Sequence, residues 1–267
     1  MRPTFGDPHL QQQFDALGYV VVDFLPPPVL ERLLAGYHAM THDHENYLPF
    51  ADGFHTTLYD RRDGYRREVA TVIREAVEPA MAAVFDDYEV QFANFTVKLP
   101  GGDAVPEHLD WTFVDEDECR SVTVWCAMQD MDDHNGALGV VPGSHHKVEF
   151  VRAVNHRSYE VHAAVAASIP ERVVVAVEAG QAVVIDNRLV HFSPPNGTER
   201  IRLAAACVAA PKGRAIVHHW FDEDGRPHRL EVTPEFWLRY SPGVDDPRAI
   251  PGCVSDRVIT DPDILFS

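Results

Sequence analysis

His108 and Asp110 stand two residues apart, and His191 follows far downstream. An imidazole and a carboxylate at positions i and i+2 of a strand share a face. They form a rigid edge of a coordination sphere that still needs a third ligand, which His191 is placed to supply. Two histidines and one carboxylate with open positions are the usual donor set for non-haem Fe(II) that activates O₂. By the same alternation Leu109, Trp111 and Phe113 are expected on the opposite face.

Arginine supplies the next candidate. Arg200 and Arg202 share one face of the apolar stretch Arg200-Ile201-Arg202-Leu203-Ala204. A guanidinium on such a strand is costly without an anion, and its planar fork matches a carboxylate. Alternation alone does not choose between the two.

Elements must bring these residues together. Leu30, Leu33, Leu34, Tyr37 and Met40 recur with helical period after Pro26-Pro27-Pro28, and Val69, Ile73, Val77, Met81 and Val84 do so more strongly. Residues 1–90 therefore read as mainly helical, interrupted by a polar stretch over 42–66 expected to act as a flap. From Gln91 the period becomes two. Strands are expected at 91–99, 108–114, 121–130, 137–142, 173–177, 181–186, 189–193 and 200–209, separated by Gly, Pro and Asn. This is mainly β with flanking helices, a sandwich or barrel such as a jelly roll. Residues 144–172 read as a partly helical insertion, 212–232 as a polar segment holding His218-His219, and the tail from 233 as starting with a short helix. The whole is expected to be one domain, with a helical part (1–90), a β core (91–210) and an extension (211–267).

Composition removes several function classes. The chain of 267 residues has a formal net charge of −18, which disfavours nucleic acid as a partner because Lys and Arg must displace its counterions. No apolar run approaches a membrane span, and Met1-Arg2-Pro3-Thr4 opens no apolar signal core. The expectation is a cytoplasmic protein with a small-molecule substrate, its oligomeric state unspecified. Cys119, Cys126, Cys207 and Cys253 lack metal-knuckle or redox spacing and read as reduced thiols. The basic pairs Arg61-Arg62 and Arg66-Arg67 read as a solvated loop and helix start, and His42, His44 and His146 as loop residues.

Three stretches carry a family resemblance: Glu107-His108-Leu109-Asp110-Trp111-Thr112-Phe113; Asn135-Gly136-Ala137-Leu138-Gly139-Val140-Val141-Pro142-Gly143-Ser144-His145; and the His191–Arg202 region. Together they resemble the phytanoyl-CoA dioxygenase family of Fe(II)/2-oxoglutarate oxygenases over roughly residues 90–210. The resemblance implies a double-stranded β-helix of cupin type. It implies Fe(II) on His108, Asp110 and His191, with 2-oxoglutarate and O₂ as co-substrates. In similar enzymes the arginine that binds 2-oxoglutarate follows the distal histidine by 11 positions, which selects Arg202. Ser193 matches a serine that shares that carboxylate, and Trp125 a tryptophan lining the same pocket. Asn94 and Lys98, on one face of the preceding strand, are further candidates for co-substrate contact. His145 belongs to the middle motif and is expected to fix its turn, as is Asn135-Gly136.

The departures are Glu107 and Leu109, where many relatives have Pro and Gln. Asp110 is retained, which disfavours the halogenation seen where that carboxylate is a small residue. The implied reaction is hydroxylation of an unactivated C–H bond in an amino-acid derivative, acyl or natural-product intermediate. Phe113, Phe150, Tyr159, Trp220 and Phe221 are expected to line an apolar cleft. The rival classes are a cupin-like isomerase or hydrolase that does not use O₂, and a non-catalytic ligand-binding domain.

Overall fold

The computed structural model describes residues 2–42, 51–62, 64–154, 164–241 and 245–260. Its centre is a six-stranded antiparallel sheet in the order β1-β8-β5-β10-β3-β2, facing a four-stranded sheet in the order β4-β9-β6-β7. The larger sheet uses β1 (Tyr19–Asp23), β2 (Phe54–Thr56), β3 (Tyr88–Lys98), β5 (Val122–Ala127), β8 (Gln181–Asp186) and β10 (Arg202–Pro211). The smaller uses β4 (Val105–His108), β6 (Gly139–Val140), β7 (Val173–Val174) and β9 (His191–Ser193). This is the expected double-stranded β-helix.

Three helices cover the outer face of the larger sheet: α1 (Pro8–Leu17), α2 (Pro27–Ala39) and α3 (Tyr65–Val84). On α3, Val69, Ile73, Val77 and Met81 recur every four residues, so one stripe is buried. It packs with Ala93, Phe95 and Val97, the outward residues of β3. The inward set of the sheets, including Trp125, Val183, Ile185, Leu138 and Val140, forms a second core between them.

The sequence reading needs three corrections. The segment before residue 90 adds β1 and β2 to the larger sheet, so it is not only helical cover. The strand expected over 108–114 is Val105–His108, and the chain leaves it at the first histidine. The segment over 212–232 is a hairpin of β11 (Ile216–Phe221) and β12 (Pro227–Val232), joined by β13 (Cys253–Val258) into a third sheet. Its inner face meets α4 (Pro234–Trp237) and Phe113 in a third core. The expected flap over 42–66 and insertion over 144–172 fall partly outside the described residues.

Candidate metal centre

β4 and β9 pair antiparallel with His108 directly opposite His191. The two imidazole centroids are 4.1 Å apart. Asp110 lies two residues beyond the end of β4, and one donor atom from each of the three residues lies within 4.8 Å of the others. His191 Nε2 is 3.8 Å from Asp110 Oδ1.

Hydrogen bonds fix which atoms face this point. Nδ1 of His108 lies 2.8 Å from the Pro106 carbonyl, and Nδ1 of His191 lies 3.0 Å from the Leu189 carbonyl. A carbonyl only accepts, so Nδ1 carries the proton in both rings and Nε2 keeps its lone pair. Asp110 Oδ2 accepts from Thr123 Oγ1 and from Asn187 Nδ2, each at 2.8 Å. Oδ1 is thus the oxygen presented beside His191. Burial, the largest influence, works to raise the Asp110 pKa, but the two imidazoles and the two hydrogen bonds hold it below the usual carboxylate range.

The three residues line a cavity of about 320 Å³ between the sheets. Arg202 also lines it, at 1 % exposure. Its guanidinium carbon lies 5.5 Å from the Trp125 ring and 5.8 Å from that of Phe54. One terminal nitrogen donates to Thr96, at 3.3 Å to Oγ1, while Nε has no partner among the described residues. Burial, with no carboxylate paired to it among the described residues, pulls the Arg202 pKa down to about 9. This is the profile of a cation awaiting an anionic ligand.

Asn94, Trp125 and Ser193 line the same cavity, and Asn94 Nδ2 donates to Thr56 Oγ1 at 2.8 Å. Lys98 lies behind the wall. Fully buried, it donates to Ser193 Oγ at 2.7 Å and to the carbonyls of Ser193 and Pro194. Ser193 Oγ in turn donates to the Gly136 carbonyl at 2.9 Å. Any influence of Lys98 on the cavity therefore passes through Ser193. Burial, then the charge of Arg202, lowers the Lys98 pKa to about 7.

The aromatic lining differs from the sequence expectation. Phe113 is present, but Phe150 belongs to a separate cluster, Trp220 and Phe221 are absent from the lining, and Tyr159 lies outside the described residues. Leu109 and Trp111, expected to face away, line the cavity because alternation lapses where β4 ends. Thr123, Asn187 and Arg152 were not singled out from sequence. Arg152 Nε donates to the Asp110 carbonyl at 2.6 Å, fastening the irregular segment that carries the ligand. His145 is buried, with Nε2 3.2 Å from the Asp15 carbonyl, so it ties its turn to α1.

Fold and centre together define a double-stranded β-helix protein with a two-histidine, one-carboxylate constellation. The chain belongs to the phytanoyl-CoA dioxygenase (PhyH) family, whose model matches residues 14–204. It is 33 % identical over 142 residues to phytanoyl-CoA dioxygenase 1 of Oryza sativa subsp. japonica, a match covering 52 % of this chain and 44 % of that protein. The chain thus spans less than half the length of that relative. The fold is shared with the non-heme alpha ketoglutarate dependent carbocyclase SnoK of nogalamycin biosynthesis, at a TM-score of 0.60 and 19 % identity over 91 % of this chain and 95 % of that one. It is shared also with the epimerase SnoN in complex with Fe3+, alpha ketoglutarate and nogalamycin RO, at 0.57 and 20 % identity over 93 % and 97 %. No helix among the described residues is long and apolar enough to cross a membrane.

Proposed function

We propose that this protein is an Fe(II)- and 2-oxoglutarate-dependent oxygenase that hydroxylates a C–H bond of a small organic molecule. The observation that carries this reading is the pairing of the His108, Asp110 and His191 donors with a buried Arg202, which has no carboxylate partner among the described residues, in one cavity. Family membership supports it, as do the Fe3+ and alpha ketoglutarate bound to SnoN and the alpha ketoglutarate dependence of SnoK.

The donors fit the metal: two Nε2 lone pairs and one carboxylate oxygen converge, and each is held by an outer hydrogen bond. Arg202 fits the far carboxylate of 2-oxoglutarate, with its unpartnered Nε and Trp125 beside it. Bound there, iron and its co-substrate would supply the oxidising power that no side chain has. The chain's own contribution is placement. Arg202 sets the depth of the co-substrate, Ser193 and Lys98 hold the turn after His191, and Asp110 presents one oxygen. The apolar lining keeps water out.

Anaerobic addition of Fe(II) and then 2-oxoglutarate should produce a visible metal-to-ligand charge-transfer band. The band should vanish in Asp110→Ala. It should need much more co-substrate in Arg202→Ala, since truncating one partner of a buried charge pair costs about 2–5 kcal/mol. Iron binding without the band would instead favour a cupin-like isomerase or hydrolase. No iron binding would overturn the assignment of the three ligands.

A further inference from the structure

The cavity floor is graded. Side chains on β3 alternate, so Phe92, Asn94, Thr96 and Lys98 share its inner face in that order. The register with β10 sets Lys98 against Arg202, Thr96 against Ala204, Asn94 against Ala206 and Phe92 against Val208. On the other side of β10, Trp125 pairs with Ala206 and Thr123 with Val208. The floor therefore runs from Arg202, with Lys98 behind it, through Thr96 and Asn94, to Phe92 and Val208.

Asp110 marks where the metal lies on this gradient. It accepts from Thr123, in the same row as Phe92 and Val208. The metal centre thus stands toward the apolar end, in the row next to Trp125, whose ring lies 5.5 Å from the Arg202 guanidinium carbon. Around that end are Leu58, Trp111, Phe113 and Val154. Phe92 meets Phe113 edge-on at 5.5 Å, and Trp111 and Phe113 pack in turn on Trp237.

Apart from Arg202 and the ligand set, Arg152 supplies the one charge among the described lining residues. It is 2 % exposed and forked onto the Glu116 carboxylate, with Nε on the Asp110 carbonyl. That charge is neutralised and its geometry committed. Near the site, Arg62 pairs with Asp60 and Arg172 with Glu107, in a chain of net charge −18. Among the described residues near the cavity, none of these cations is left to pair with a coenzyme's phosphates.

We propose that the substrate is a neutral, largely apolar ring compound rather than a coenzyme A thioester. This rests on the reading of the centre as an iron and 2-oxoglutarate site. A flat ring matches the aromatic walls of Phe92, Trp111 and Phe113, and a charge there would be buried without a counter-ion.

The test uses the full chain loaded anaerobically with Fe(II) and 2-oxoglutarate, titrated with 1-naphthol, 1-naphthoate or coenzyme A. Two signals are read: displacement of the charge-transfer band, and quenching of tryptophan emission. 1-Naphthol should bind saturably. 1-Naphthoate should bind at least about tenfold more weakly, because its carboxylate would be desolvated unpaired. Coenzyme A should neither bind nor compete. Val154→Asp should weaken 1-naphthol while the band with 2-oxoglutarate forms as in wild type, and Leu58→Asp serves if the first variant does not fold. Binding of 1-naphthoate or coenzyme A as tight as that of 1-naphthol would overturn the proposal. So would no binding of 1-naphthol, or indifference to a carboxylate in the wall. If the band never forms, it is the iron and co-substrate reading that fails, and the tryptophan titration still reports on the apolar compartment.

Discussion

Asp110 has two carboxylate oxygens, and the chain treats them differently. Oδ2 is held by Thr123 and Asn187, while Oδ1 is left beside His191. Asn187 is fully buried, and its own Oδ1 has no partner among the described residues. Leaving an acceptor unmade is costly, and the amide's two donations, to Asp110 and Thr123, offset that cost. Asn187→Ala and Thr123→Val should each weaken metal affinity by about 10–100-fold, the usual loss for an outer-shell partner. A Co(II) titration followed by its ligand-field spectrum checks this, and an unchanged affinity would reduce both residues to packing. At this scale the three candidate metal donors were legible because their types are scarce donors at a telling spacing. Asn187 was not, because it lies 77 residues from the carboxylate it holds, and an amide beside an aspartate in a turn reads as turn chemistry. For Lys98, its place on the strand was legible, but not its hydrogen bond to Ser193 Oγ.

Short strands of the smaller sheet position the ligands, and their closeness depends on side-chain size. Gly139 on β6 pairs with Phe192 on β9. A Cβ at Gly139 would fall 2.4 Å from the Phe192 ring, which lines the cavity next to His191. Gly139→Ala should displace that ring, lowering stability by about 1–3 kcal/mol as overpacking does. Denaturant unfolding reads that loss, and the charge-transfer titration should show a shifted band in the folded fraction. The longer elements were readable from period alone: α2, α3, β3, β8 and β10 all fall close to their expected spans. The ends were not. β4 stops at His108 because Asp110 turns out to Thr123 and Asn187, contacts that no local pattern encodes. β11 and β12 were missed because His218 and His219 read as polar when they are buried, among Trp111, Phe236, Trp237 and Tyr240 in the case of His218.

For the molecule as a whole, those histidines set a pH dependence. Burial lowers the pKa of His218 to about 3, and of His219 and His145 to about 4. The unfolded chain, with its histidines near 6.5, then binds more protons than the folded one at intermediate pH. The contribution to stability is complete above that value and is lost as pH falls toward 4. Chelator-treated protein, from which metal loss cannot contribute, should therefore unfold at a lower temperature at pH 5 than at pH 7. His218→Phe should flatten that difference, and an equal slope in the variant would assign the acid sensitivity elsewhere. The topology has another whole-chain consequence, for synthesis. β10 lies between β3 and β5, and it is the last strand of the larger sheet to be made. Until residues 202–211 leave the ribosome, β3 and β5 each present a bare edge, and Arg202 has not yet been made. β1, made first, waits for β8 across more than 150 residues. Such non-local pairing slows folding and leaves nascent edges open to wrong partners. The larger sheet therefore closes late, so a chain stalled before β10 would present a chaperone with open strand edges rather than a partly assembled cavity.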